Sequence, residues 1–239
     1  MATILNVFPE LLDLNGDAQN ATVLARRARW AGLDVAVSSL SIGAAAPRQA
    51  PAVVVVGSGA ESTMPEVLAG LRLIERELTS WFNARVPILA IGTGWELLSI
   101  SAERDGALDL HGLGLFPGRS VAATRVSDDL VVDSDFGRLV GFESHGRDYV
   151  LETGVLALGR VVYGHGNGGD VKAEGVRVGT SIGTHLHGPV LAKNPAIADE
   201  LLRESFGEAY VVGPDASRVD DIARMARNKI LTSVGLQPT

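Results

Sequence analysis

The 239-residue chain contains no cysteine, and that absence excludes three kinds of chemistry at once: disulfide bridges, thiolate metal sites and thiol nucleophiles. Long apolar runs are also missing. The longest stretches, residues 52–57 and 86–91, fall far short of the roughly 20 residues that span a bilayer. The N-terminus has no charged segment leading into an apolar secretory core, so the expected location is the cytoplasm, without membrane insertion. No basic run is present to follow a phosphate backbone, and the net charge is −7; nucleic acid is therefore set aside as a partner.

What is present is a 46% hydrophobic chain, long enough for a large, well-buried α/β core, and a single domain over residues 1–239 is expected. Its first half alternates short apolar runs with helical patterns, the signature of a mostly parallel sheet flanked by crossover helices. Strands are expected at residues 3–8, 33–38, 52–56 and 87–91. The Val53-Val54-Val55-Val56 run has the β-branched character of a strand buried on both faces. A helix over 20–31 sets Val23, Leu24, Ala28 and Ala31 on one side and Arg26, Arg27 and Arg29 largely on the other, with Gly32 as its stop. Apolar spacing predicts one amphipathic helix over 66–83, and another begins at Gly94. From about Leu113 to Ile182 the pattern changes to glycine-punctuated runs at 124–132, 139–143, 155–162 and 176–182. These read as antiparallel or mixed strands. Helices over 196–206 and 219–231 complete the chain.

Three segments could carry chemistry. Gly57-Ser58-Gly59 ends a buried strand, where glycines let the backbone turn and expose N–H groups to an anion or oxyanion. By itself it reads equally as a tight turn, and it lacks the spacing and lysine of a nucleotide P-loop. Ala90-Ile91-Gly92-Thr93-Gly94-Trp95-Glu96 runs from a strand through a turn into a helix, a geometry that lifts the turn residue to a helix N-terminus. That residue is Gly92, which has no side chain. Thr93 next to it offers only a hydroxyl, which needs a strong base to become nucleophilic. The third segment is Thr184-His185-Leu186-His187-Gly188-Pro189. If it is a strand entering a turn, His185 and His187 share one face. His111 and His165 have no context tying them to that pair, so no third ligand and no metal site is indicated. His145, in Glu143-Ser144-His145-Gly146-Arg147, lines the same cleft or sits in a turn.

Taken together, these segments resemble the CobB/CobQ-like branch of class I glutamine amidotransferases. Within it the chain is most similar to the GatD-type glutaminase subunits of lipid II isoglutaminyl synthase, which work in a heterodimer with a MurT-like Mur ligase. The resemblance is carried by Asn15-Gly16-Asp17-Ala18-Gln19-Asn20, by the two glycine-rich turns, and by Asp105-Gly106 with Leu110-His111-Gly112-Leu113-Gly114-Leu115. It continues through Ser134-Asp135-Phe136-Gly137-Arg138-Leu139-Val140-Gly141-Phe142-Glu143-Ser144-His145-Gly146, Tyr163-Gly164-His165-Gly166-Asn167, and Gly183-Thr184-His185-Leu186-His187-Gly188-Pro189-Val190-Leu191-Ala192-Lys193-Asn194-Pro195.

This resemblance implies the flavodoxin-like class I amidotransferase fold, L-glutamine as substrate and no cofactor. It also implies a mechanism in which a cysteine thiolate attacks the glutamine amide and a histidine protonates the departing ammonia, which passes to the ligase. His187 matches the catalytic histidine, Gly92 the nucleophile position, and Gly59 and the Thr93 N–H the oxyanion hole. Arg125 matches the residue that holds the glutamine α-carboxylate, a task suited to a guanidinium fork. The departures are local. Gly92-Thr93-Gly94-Trp95 stands where the family has Cys-Gly-Gly-Tyr, and Gly57-Ser58-Gly59-Ala60-Glu61 stands in place of a Gly-Gly-Gly-Ser-Asp type loop. Pro189 occupies the position, two past the histidine, where many class I relatives carry a triad acid. Three readings follow: a non-hydrolysing GatD-like scaffold for peptidoglycan amidation, a glutaminase using the Thr93 or Ser58 hydroxyl with His187 as base, and an unrelated small-molecule-binding module.

Overall fold

The computed structural model describes residues 1–104, 109–169 and 171–238; the Asp105-Gly106 part of the resemblance lies outside them. Its strands and helices follow in the order β1 (Ala2–Val7), α1 (Gln19–Trp30), β2 (Val35–Leu40), β3 (Val53–Val56), α2 (Met64–Leu73), α3 (Glu75–Asn83), β4 (Ile88–Ile91) and α4 (Thr93–Leu98). Next come β5 (Ser99–Ala102), β6 (Leu110–His111), β7 (Phe116–Ser134), β8 (Gly137–Leu151), β9 (Gly159–Tyr163), β10 (Ala173–Glu174), β11 (Val176–Val178) and β12 (Ser181–Thr184). The chain ends with α5 (Val190–Lys193), α6 (Pro195–Phe206) and α7 (Pro214–Ser233).

A six-stranded sheet in the order β11-β12-β4-β3-β1-β2 forms the centre, parallel throughout except for the β11/β12 pair. A second sheet, β10-β9-β7-β5-β6 with β8 paired to β7, is built largely of antiparallel pairs. The expected fold class is thus present: a mostly parallel sheet, flanking helices and an antiparallel strand region.

Period-two geometry explains why the valine run belongs at the centre. Successive side chains of β3 point to opposite faces, so Val53 and Val55 enter the core beneath α1 and α6, while Val54 and Val56 enter the core beneath α2 and α3. All four are fully buried, each contributing roughly 1.5–3 kcal/mol of apolar burial. A strand buried on both faces shows no hydrophobic alternation, only an unbroken β-branched run.

Several expectations require correction. The helix expected over 66–83 is two helices, because Ile74 leaves the helical region at φ −117° and its N–H bonds the Leu71 carbonyl three residues back. Each half can then turn its own apolar face to the core. Arg27, expected to face outward, is 3% exposed; its guanidinium is held by Asp199 and Asp220. The runs at 124–132 and 139–143 are segments of one long hairpin, β7 and β8, closed at Asp135-Phe136. The 176–182 run is a second hairpin, turned at Gly179 with φ +57°. Strand β12 ends at Thr184, so His185 and His187 do not share a strand face.

Candidate active site

The site forms where the parallel strands end. Leaving β4, the chain turns sharply at Gly92, whose φ of +51° and ψ of −124° is a conformation that side-chain-bearing residues rarely adopt without strain. Thr93 then starts α4. This is a strand-turn-helix elbow in backbone terms, with the turn residue raised at the helix start.

The neighbouring strand β3 ends in Gly57-Ser58-Gly59, on which the loop after β1 lies directly. A Cβ at Gly57 would sit 2.1 Å from the Leu12 carbonyl oxygen, and one at Gly59 would sit 2.3 Å from that of Leu11. The loop can approach this closely only because neither position has a side chain. It carries Asn15 and Asp17 into the site.

Asp17 supplies the acid that Pro189 does not. It is fully buried; its Oδ2 lies 3.0 Å from His187 Nδ1 and accepts the Ser58 N–H at 3.2 Å. A carboxylate can only accept, so the Nδ1 that faces it is the donor, with the Asn15 amide beside it at 3.2 Å. The His187 backbone is pinned by its N–H to the Phe142 carbonyl at 2.8 Å. No residue near His187 in sequence signals this acid. Asp17 is 170 positions away, and only its place in the early Asn15-Gly16-Asp17 segment marked it at all.

His187 faces Gly92: a Cβ at position 92 would lie 2.9 Å from His187 Cε1, 2.6 Å from Ser58 Oγ and 2.9 Å from Ser58 Cβ. The elbow points at the histidine, but the space is already filled. Both expected oxyanion donors are engaged as well. The Gly59 N–H donates to Thr93 Oγ1 at 2.7 Å, and the Thr93 N–H donates to Ser58 Oγ at 3.4 Å.

A cleft of about 240 Å³ opens in front, lined by residues that include Ser58, Gly59, Gly92, Thr93, Arg125, Ser144, His145 and Arg147. Arg125 sits where the β7/β8 register slips between Ala122 and Val126, exposed, with Nη2 donating to Ser144 Oγ at 3.0 Å. The structure therefore brings Gly59, Gly92, Thr93 and Arg125 onto one cleft. His187 is not among the lining residues and is 0% exposed.

A buried polar layer supports the cleft, and residue-by-residue reading missed most of it. Arg147 bridges Glu96 at 2.9 Å and Glu61 at 2.9 Å. His145, on β8 and not in a turn, lies between Glu143 Oε2 at 3.3 Å and the His185 ring stacked at 4.1 Å. Burial lowers the affinity of His145 for a proton, but the Glu143 bond, the Arg147 carbonyl and the charges of Glu143 and Glu174 outweigh it, so its pKa lies above the ordinary histidine value. His185 moves the other way, lowered first by full burial and then by the charge of His145. Its N–H and the Thr184 hydroxyl both donate to Glu174. His165 pairs with Asp148 at 2.7 Å, and no group of three metal-ligating side chains exists among the described residues.

An open α/β sheet with an elbow, a glycine-rich donor turn and a His–Asp pair at its carboxyl ends defines the class I glutamine amidotransferase fold. Solved structures agree on the fold: PurLQS from Thermotoga maritima has a TM-score of 0.58 at 17% identity, covering 86% of this chain and 95% of that one. A glutamine amidotransferase from the same organism has a TM-score of 0.53 at 16% identity and covers 98% of both. Residues 8–195 match the CobB/CobQ-like glutamine amidotransferase domain, and the chain belongs to that family. Among curated relatives it is 29% identical over 231 residues to the GatD subunit of lipid II isoglutaminyl synthase (glutamine-hydrolyzing) of Staphylococcus aureus strain N315, covering 96% of this chain and 94% of the relative. To the GatD subunit of Streptococcus pneumoniae it is 25% identical over 211 residues, covering 87% and 81%. Among the described residues no helix is long and apolar enough to cross a membrane.

Proposed function

We propose that this chain, acting as one domain in the cytoplasm, is a GatD-like subunit of a lipid II isoglutaminyl synthase. In this reading it pairs as a heterodimer with a MurT-like ligase in the amidation of peptidoglycan D-glutamate, and its own glutaminase step is lost or greatly reduced. The observation that carries the proposal is Gly92: the elbow keeps its sharp left-handed turn and faces His187, yet has no nucleophile. Removing a covalent nucleophile costs about 10⁶-fold in rate where it has been dissected. Loss of one oxyanion donor costs about 10²–10³-fold, and here both donors are bonded to side-chain hydroxyls. His187, held by Asp17, is the residue of the former acid–base role, and Arg125 that of the glutamine α-carboxylate clamp.

The hydroxyl-nucleophile reading is disfavoured by the same geometry. Ser58 Oγ and Thr93 Oγ1 contact each other and the two N–H groups, while the buried His187 Nε2 has no hydrogen-bond partner among the described residues. No hydroxyl is placed to hand its proton to that base. Family membership sets aside the unrelated binding module.

The test is ammonia release from L-glutamine by the purified protein, alone and with its ligase, together with calorimetric titration of glutamine. The expected result is no turnover above background, and binding without hydrolysis supports a retained substrate pocket. Turnover at an ordinary enzymatic rate refutes the proposal, and so does its loss on Thr93→Val or Ser58→Ala substitution of an active protein.

A further inference from the structure

Gly92 accounts for the missing nucleophile but not for the sealed histidine. The vacated space is occupied: Ser58 Oγ lies 2.6 Å and Ser58 Cβ 2.9 Å from where a Cβ at 92 would be. Real Cβ atoms essentially never make such contacts, so a cysteine cannot be restored there unless Ser58 moves and the His187 ring, whose Cε1 lies 2.9 Å from the same point, gives by a few tenths of an ångström. Ser58 has several neighbours that favour its present position. It is 5% exposed, its N–H is bonded to Asp17, and its hydroxyl is bonded to the Thr93 N–H and lies 3.5 Å from Thr93 Oγ1. Ser58 lines the cleft, whereas His187 is fully buried and does not line it.

We infer that Ser58 is a plug: its side chain fills the nucleophile's volume and closes His187 off from the cleft, so that Ser58 and Gly92 together silence a site whose acid–base half is still assembled. This rests on the proposed loss of glutaminase activity and adds that the loss is held by two residues, not one. Gly92→Cys alone then remains poor, and Ser58→Gly/Gly92→Cys recovers glutamine hydrolysis. In the recovered reaction the introduced thiolate forms a bond to the side-chain amide carbon of glutamine. His187 Nε2 first takes the proton of the introduced thiol and then gives it to the nitrogen as the C–N bond breaks, and ammonia leaves. Water then cleaves the thioester to glutamate and free thiol, so the sum is glutamine plus water giving glutamate plus ammonia.

The experiment compares wild type, Gly92→Cys, Ser58→Ala/Gly92→Cys and Ser58→Gly/Gly92→Cys, each full length and checked for folding by circular dichroism and thermal melting. Two readouts are followed: ammonia release from glutamine, and the rate of thiol alkylation by iodoacetamide across pH. Because Ser58→Ala removes the 2.6 Å contact but keeps the 2.9 Å contact of its Cβ, while all variants keep that of His187, activity should climb in that order, by at least tenfold from first cysteine variant to last. Peptide-level modification by diethyl pyrocarbonate adds a readout without a thiol. His187 should be unreactive in wild type and reactive in Ser58→Gly. A Gly92→Cys protein as active and as readily alkylated as the paired variant overturns the plug, and so does a His187 equally reactive with and without the Ser58 side chain. Turnover by wild type would instead overturn the proposed function, so the two failures are distinguishable.

Discussion

The two halves of this cleft have had different fates. On the proposed acid–base side, His187 and Asp17 form a buried hydrogen-bonded pair with the half-buried Asn15 amide beside it. On the proposed nucleophile side, the elbow backbone is present, Gly92 has no side chain, and Ser58 and Thr93 contact each other and the two backbone N–H groups beside it. On the proposed reading, the loss of the nucleophile is confined to the ends of β3 and β4, while the glycine turns and the Asp17 contacts around them keep their geometry. Asp17 Oδ2 serves both halves, accepting from Ser58 and from His187.

The comparison can be broken or sharpened by substitution. Asp17→Ala has the largest expected effect. It strands two buried donors, at about 1–3 kcal/mol each, so urea unfolding should show a loss of about 3 kcal/mol; a loss below about 1 kcal/mol would mean that the halves are not tied through this carboxylate. Gly94→Ala presses a methyl to 2.2 Å from the Gly57 carbonyl oxygen, and overpacking of that kind costs about 1–3 kcal/mol. A neutral result would show the nucleophile side to be slack and not filled. Thr93→Val leaves the Gly59 N–H without its acceptor and should cost about 1 kcal/mol, read as a small drop in melting temperature.

The smallest effect concerns pH. His145 has a folded pKa above its unfolded value near 6.5, so its contribution to stability is fully present below about pH 6.5 and is lost as pH rises through the folded value. The stability gap between wild type and His145→Gln should therefore narrow from pH 6 to pH 8. A gap that widens with pH would reverse the assigned direction.

Local pattern carried some of these features and could not carry others. The β3 valines, the elbow at Gly92 and the candidate histidine, His187, were legible because each is written in a few consecutive residues. Asp17 was not, since a triad acid sought beside the histidine met Pro189 while the actual partner arrives from the loop after β1. Arg27 looked like a solvent-facing charge on α1 because nothing local announces Asp199 and Asp220, which pair with it from α6 and α7. The break at Ile74 left no glycine or proline to mark it. The Ser58 contact is invisible to any one-dimensional reading, because it exists only between two strand ends that the sheet sets side by side.

The central claim is that the acid–base half persists while the nucleophile half is closed. Ammonia release from L-glutamine by the protein, alone and with the ligase proposed as its partner, measured for wild type beside Ser58→Gly/Gly92→Cys, tests this most directly. The account predicts background turnover for the first and glutamine-dependent ammonia for the second; turnover by wild type at an ordinary enzymatic rate would contradict it.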